Sequence, residues 1–102
     1  MGIEKLNTNT EFIRAVSYGN INLARKLLIC DAEIDTVNDK GQTPLMIATI
    51  KGNIDLVDLL LQHGASIYKQ DLFGNSAVKY ARLNCQSAIL SRFNSASTLA
   101  VA

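Results

Sequence analysis

The sequence contains no tryptophan, one proline, one histidine and two cysteines in 102 residues. With one histidine and no Cys-x-x-Cys pair, it lacks the ligand spacing of a zinc site, and we expect no metal. Its apolar runs are only a few residues long, whereas a membrane-spanning helix needs about 20 residues. Because the chain also lacks an apolar leader, we expect both cysteines to be free thiols in a reducing, cytoplasmic compartment.

The sequence also has no large excess of charge of either sign. Ten Lys and Arg residues stand against nine Asp and Glu residues, which gives a net charge of +1 at pH 7. Domains that bind nucleic acid usually carry a strong basic patch, so we expect no nucleic-acid partner. Residues 71–102 are slightly basic, with Lys79, Arg82 and Arg92 against Asp71.

Catalytic constellations are missing as well. The acidic residues are scattered singly over predicted helix starts and turns, and Glu33 and Asp35 lie in a predicted loop without a partner base. General acid–base chemistry needs such groups held together in a cleft. We therefore predict that the chain is not an enzyme and needs no cofactor.

The sequence does contain an internal repeat with a period of about 33 residues. Residues 5–37 align without a gap on residues 38–70, and the same offset carries 38–70 onto the remainder, where the pattern survives better than the identities. Ten positions are identical in the first two units: Thr10/Thr43, Ala15/Ala48, Gly19/Gly52, Asn20/Asn53, Ile21/Ile54, Leu23/Leu56, Leu27/Leu60, Leu28/Leu61, Ala32/Ala65 and Ile34/Ile67. We predict one domain, residues 1–93, of three units (5–37, 38–70 and 71–93), and a flexible C-terminal tail, residues 94–102.

Each unit has the pattern of two helices. In the middle unit, Thr43 and Pro44 are typical of a helix start, and Gly52 followed by Asn53 ends this helix and caps the next. Gly64 then supplies a left-handed stop. Apolar residues recur at three- and four-residue spacing, as expected for buried helical stripes: Leu45, Ala48, Ile54, Val57, Leu60 and Leu61.

Such a unit buries its apolar stripe only by stacking on its neighbours, so the outer units need polar residues where the middle unit is apolar. Arg14 occupies the position of Ile47, and Lys26 and Arg92 both occupy the position of Leu59. This pattern predicts a finished stack of three units.

The segment Asn38–Leu45 (NDKGQTPL), together with Ala48, Gly52, Leu60-Leu61 and Gly64-Ala65, resembles an ankyrin repeat. The resemblance covers residues 5–93. It implies an all-α fold, a short solenoid of stacked helix-turn-helix units with projecting β-turn loops, and a concave surface that binds another protein. Met46 replaces the usual His of the family. The first unit also lacks the turn Gly (Thr8) and the Pro (Glu11), so we expect no full hairpin in residues 1–10.

The repeat leaves two sets of side chains outside its core, and we predict that they contact the partner. Those in the turns are Asp39, Lys40, Gln42, Leu72, Phe73 and Asn75. Those at the ends of the first helices are Tyr18, Ile50, Lys51, Leu83 and Asn84. Exposed apolar side chains grouped on one face are typical of binding surfaces. The alternative for Leu72 and Phe73 is that they fold back onto the C-terminal cap.

Three functional hypotheses remain open at this point. The leading one is a monomeric adaptor that binds another protein, with no membrane contact. The second is a structural or self-associating assembly subunit, and the third is the ankyrin part of a larger protein whose activity lies elsewhere. Delivery into another cell as an effector is a further possibility for its location.

Overall fold

The computed structural model describes the backbone of residues 2–101 and the side chains of residues 7–95. This part of the chain contains six α-helices and no β-strand. The helices are α1 (Gly2–Ser17), α2 (Ile21–Ile29), α3 (Pro44–Lys51), α4 (Ile54–Gln62), α5 (Ala77–Leu83) and α6 (Ser87–Val101).

The six helices form three layers of two. Within the layers, α1 packs on α2, α3 on α4 and α5 on α6. Between the layers, α3 contacts both α1 and α5, and α4 contacts both α2 and α6. The first helices therefore make one row and the second helices another, which confirms the predicted all-α stack of helix-turn-helix units.

The helices begin and end where the repeated residues predict. The Thr43 hydroxyl accepts a hydrogen bond from the Met46 amide at 3.2 Å, and Pro44 holds the first helical position. Gly52 ends α3 in the left-handed conformation at a φ of 69°, and the Asn53 side chain then caps α4. In the third unit Cys85 takes the place of Gly52 and keeps a positive φ of 54°. The backbone geometry is thus conserved between units even where glycine is not.

One apolar core runs through all three layers. Its largest fully buried side chains include Phe12 in α1, Leu45 in α3, Leu60 in α4 and Phe93 in α6. Leu27, the first-unit counterpart of Leu60 and Phe93, is half-buried and packs against the same core. These equivalent positions therefore serve the same purpose in successive layers, and burying each such side chain contributes about 1.5–3 kcal/mol.

Polar residues lie on the outer layers where the middle layer is apolar. Ile47 and Leu59 are buried, whereas Arg14 and Lys26 are exposed at the same positions of the first unit. Arg92 replaces Leu59 in the third unit, and its Nε donates to the Asp58 carboxylate of α4 at 2.8 Å. The cation at this position therefore also links two layers.

The first unit differs from the other two at its start. Helix α1 runs from Gly2 to Ser17, so residues 2–10 are helical and form no turn, as the missing Gly and Pro predict. Thr10, which aligns with the cap residue Thr43, therefore lies inside α1 and does not begin a helix. A cap needs an extended residue before the helix, and here the helix begins eight positions earlier.

The predicted tail, residues 94–102, lies mostly outside the described side chains. Helix α6 is continuous to Val101, which makes it 15 residues long compared with 9 residues in α4. The flexibility of the tail stays a prediction.

Candidate partner-binding surface

Two turns project from the stack, and each is built around one side chain. The Asn38 carboxamide oxygen accepts hydrogen bonds from the amides of Lys40 (2.9 Å) and Gln42 (3.0 Å). In the third unit the Asp71 carboxylate accepts from the amides of Phe73 (2.9 Å) and Asn75 (3.0 Å). Because each turn satisfies its own backbone in this way, the two residues at its tip point away from it into solvent.

The two turns are also joined to each other. The Leu72 amide donates to the Lys40 carbonyl oxygen at 3.0 Å. Gly41 makes this approach possible: it has a φ of 75°, and a Cβ atom at this position would lie 3.0 Å from the Leu72 nitrogen. The tips Asp39-Lys40 and Leu72-Phe73 are consequently held side by side in a fixed register.

The Asp71 carboxylate is buried and ionised. Burial raises its pKa, but hydrogen bonds from the Tyr80 hydroxyl and from the backbone amides of Asn75 and Phe73 outweigh this effect. The pKa of Asp71 therefore lies below its ordinary value of 3.8. This charge, on a residue that is 7% exposed, stabilises the turn below the Leu72-Phe73 tip.

The ends of the first helices supply a second row of exposed side chains. Tyr18 directly follows α1, Ile50 lies in the last turn of α3, and Leu83 is the last residue of α5. All three are exposed, and since α1, α3 and α5 pack side by side, they follow one another from layer to layer. The neighbours Lys51 and Asn84 are exposed as well.

The structure distinguishes among the predicted contact residues of the turns. Leu72 and Phe73 are 76% and 67% exposed, which argues against the alternative that they fold back onto the C-terminal cap. Gln42 and Asn75 are half-buried, and their side chains bond within their own units, to Asn38 and Tyr80 respectively. Contact of any of these residues with a partner stays a prediction.

We call the exposed members of both rows the inner surface. It comprises Tyr18, Asp39, Lys40, Ile50, Lys51, Leu72, Phe73, Leu83 and Asn84. Leu83 and Gly74 line the same depression, so the end of α5 and the third-unit turn border one another.

That depression, which we call the end groove, is a feature that the sequence patterns did not reveal. It has a volume of about 600 Å³ and lies on the outer side of the third unit. Its lining residues are Tyr68, Gln70, Gly74, Ser76, Val78, Lys79, Arg82 and Leu83. The only hint in the sequence was the excess of basic residues after residue 70. A smaller depression of about 380 Å³ lies beside the first turn, between Ile13 and Lys40.

The remaining chemically active side chains do not assemble into a site in the described part of the chain. His63 Nδ1 lies 3.0 Å from the Leu59 carbonyl oxygen, so the ring caps the last turn of α4. Cys30 and Cys85 are free and exposed. Among the described residues, no three His, Cys, Asp or Glu side chains are close enough to hold a metal ion. None of the helices found there has the length and hydropathy to cross a membrane.

Comparison with known proteins gives one consistent result. The family model described as ankyrin repeats (3 copies) matches residues 12–94. The chain is 39% identical over 72 residues to potassium channel AKT2/3 of Arabidopsis thaliana. The matched region covers 71% of this chain and 9% of the channel. It is 39% identical over 79 residues to phosphocholine transferase AnkX of Legionella pneumophila, covering 76% of this chain and 8% of the transferase.

A third relative is a putative ankyrin repeat-containing protein of Treponema pallidum, 38% identical over 71 residues. That match covers 70% of this chain and 24% of the relative. The matched region thus spans less than a quarter of the length of each of these three proteins.

Proposed function

Because this chain belongs to the ankyrin-repeat family, whose members are generally protein-interaction modules, we propose that it is a non-catalytic module that binds a partner protein. The contact is made by the inner surface, which corresponds to the concave face and turn tips of the family. Tyr18, Ile50, Leu72 and Phe73 anchor the partner by apolar contact. Asp39, Lys40 and Lys51 adjust the electrostatic fit at the rim.

The observation that supports this proposal is the distribution of exposed apolar side chains. Eight large apolar residues are exposed in the described part of the chain, and five of them belong to the inner surface. Other apolar side chains fill the core between the layers, so folding does not require these exposed ones. Apolar and aromatic residues kept in solvent on one face are the usual anchors of a protein interface.

The register of the two turns supports it further. Leu72 and Phe73 sit on a turn that is fixed by the Asp71 carboxylate and by the hydrogen bond to Lys40. A rigid anchor loses little conformational entropy on binding, so it contributes more affinity for the same contact area.

The test combines Phe73→Ala with Ile50→Ala in one variant. A partner is first isolated with the intact protein, and its affinity for both forms is measured by calorimetry. We expect the double variant to bind at least about tenfold more weakly, since each truncated anchor costs about 1 kcal/mol or more. Its melting temperature should stay nearly unchanged, because both side chains are exposed.

The control variant combines Ile29→Ala with Val37→Ala, which removes two exposed aliphatic residues outside the inner surface and the end groove. Equal loss of affinity in both variants would contradict the proposal. A large loss of thermal stability in the Phe73/Ile50 variant would show instead that these residues belong to the core.

Self-association through the same apolar side chains is the second candidate function. Sedimentation at several protein concentrations separates the two, because only self-association makes the mean mass rise with concentration. A concentration-dependent mass that the Phe73/Ile50 variant abolishes would favour an assembly role over the adaptor role.

A further inference from the structure

In the described part of the chain, no helix packs against the outer face of α5 in the third unit. In the middle unit Met46 and Thr49 are fully buried, because α5 packs against α3. Lys79 and Arg82, at the same positions of α5, are exposed, and Val78 is half-buried. This face is the wall of the end groove. It therefore has the shape of a stacking surface, but two cations stand where the middle unit has buried side chains.

The charged residues that line the end groove are both cations. Lys79 and Arg82 both line it, and no Asp or Glu is among its lining residues. Neither cation has an ion-pair partner in the described part of the chain. The nearby carboxylate of Asp71 is buried and already accepts hydrogen bonds from Tyr80, Phe73 and Asn75.

The other cations of this region are engaged elsewhere. Arg92 is paired with Asp58 in the preceding layer, and the Lys69 ammonium donates to the Asp35 carbonyl oxygen at 3.3 Å. Lys79 and Arg82 are thus left as a pair of cations beside an apolar strip formed by Val78 and Leu83.

We propose that the end groove binds an acidic segment of a partner protein, in extended conformation, that places one apolar side chain against Val78 and Leu83. Carboxylates of the segment pair with Lys79 and Arg82. A groove lined by charges opposite to those of the segment raises both the association rate and the specificity for that segment. This binding surface is separate from the inner surface except for Leu83, and it specifies the chemistry of a partner.

A second copy of the chain fits the groove less well. Stacking end to end would bring the exposed first-unit face against the end groove. That face carries Lys26, and Arg14 paired with Glu11. Cations therefore outnumber anions among the residues named on both faces, which disfavours association.

The experiment is an NMR titration of the isotope-labelled full chain with two blocked peptides. One is the acidic octapeptide Glu-Asp-Glu-Leu-Asp-Glu-Asp-Glu, and the other has Gln and Asn at every acidic position. We expect the acidic peptide alone to shift the amides of Val78, Lys79, Arg82 and Leu83, with an affinity that falls as salt is added.

Two charge-matched variants locate the site. Lys79→Ser with Arg82→Ser should weaken binding of the acidic peptide roughly tenfold. Arg25→Ser with Lys26→Ser removes two exposed cations at the other end of the stack and should leave the affinity unchanged. The Phe73/Ile50 variant should also bind normally, so failure of this proposal can be told apart from failure of the inner-surface proposal.

Three results would overturn the proposal. The first is equal binding of the acidic and the amide peptides. The second is equal loss in both charge variants, which would indicate nonspecific attraction to a basic protein. The third is movement of the groove amides when the protein alone is concentrated, which would identify a second copy as the occupant.

Discussion

The contact between the two turns can be tested by comparing Gly41→Ala with Gly74→Ala. Both glycines lie at the same position of their turns and have similar positive φ angles, 75° and 79°. They differ in their surroundings. A Cβ atom at Gly41 would lie 3.0 Å from the Leu72 nitrogen and 3.1 Å from Leu72 Cγ, whereas one at Gly74 would meet nothing within 4 Å.

The magnitudes follow from two contributions. An alanine in the left-handed region costs roughly 1–2 kcal/mol, and this strain is common to both variants. At Gly41 the new methyl group also pushes away the Leu72 backbone and weakens the hydrogen bond from its amide to Lys40, worth about 0.5–1.5 kcal/mol. We therefore expect Gly41→Ala to cost about 1 kcal/mol more than Gly74→Ala, a further fall of about 4–8 °C in melting temperature for a domain of this size.

Thermal unfolding followed by far-UV circular dichroism measures this difference, and exchange of the Leu72 amide with deuterium reports on the hydrogen bond itself. Exchange at Leu72 should accelerate in Gly41→Ala and remain slow in Gly74→Ala. If the two variants melt at the same temperature with the same Leu72 exchange rate, the turns are independent and their register is not fixed by Gly41.

Two further predictions concern stability. Leu60→Ala should lower the free energy of unfolding by about 2–5 kcal/mol, because it opens a cavity in the middle layer. The control Leu83→Ala, at an exposed site, should change the free energy of unfolding by less than about 0.5 kcal/mol. If urea unfolding gives similar values for both variants, Leu60 is not in the core. Asp71 has a folded-state pKa below its unfolded value of 3.8, so its stabilising effect is complete above that value and is lost as the pH falls through the folded-state pKa. Asp71→Asn should therefore be less stable at neutral pH and should lose less stability as the pH falls below about 4. Tyr80→Phe should change the stability in the same direction by a smaller amount. If the stability of Asp71→Asn depends on acid pH as that of the intact protein does, Asp71 does not titrate as described.

Much of the fold could be predicted because its residues repeat. A side chain at one position of a unit meets the same neighbours in each layer, so Leu60 and Phe93 could be placed together without any knowledge of their contacts. Ile50 and Leu83 could be placed on the surface for the same reason, since a helix end that is exposed in one layer is exposed in the next.

The 33-residue repeat does not predict the local structure of the first unit where that unit lacks the turn. Thr10 matches Thr43 in type, but the cap of α3 also depends on the turn before it and on Pro44. Without these, residues 2–10 continue as helix α1. Identity at one position does not fix the conformation when its flanking residues differ.

Interactions that occur in only one unit could also not be predicted from the sequence. Asp71 and Tyr80 are nine residues apart, and their hydrogen bond has no counterpart in the middle unit, where Asn38 and Ile47 stand at those positions. The end groove lies on the outer side of the third unit, where no further helix pair covers α5 in the described part of the chain. Recognising it requires knowing which face of α5 points outward.

Binding and stability should be separable in this protein, because they depend largely on different residues. Core positions such as Leu45 and Leu60 are filled between layers, and the turns satisfy their own backbone through Asn38 and Asp71. The fold therefore depends little on the apolar side chains of Ile50 and Phe73, which are 41% and 67% exposed. An exposed residue that the core does not depend on can be substituted without unfolding the stack, so its effect on partner binding can be measured directly. We expect Gly41→Ala to be an exception, because the added methyl group would change both the free energy of unfolding and the placement of the Leu72-Phe73 tip.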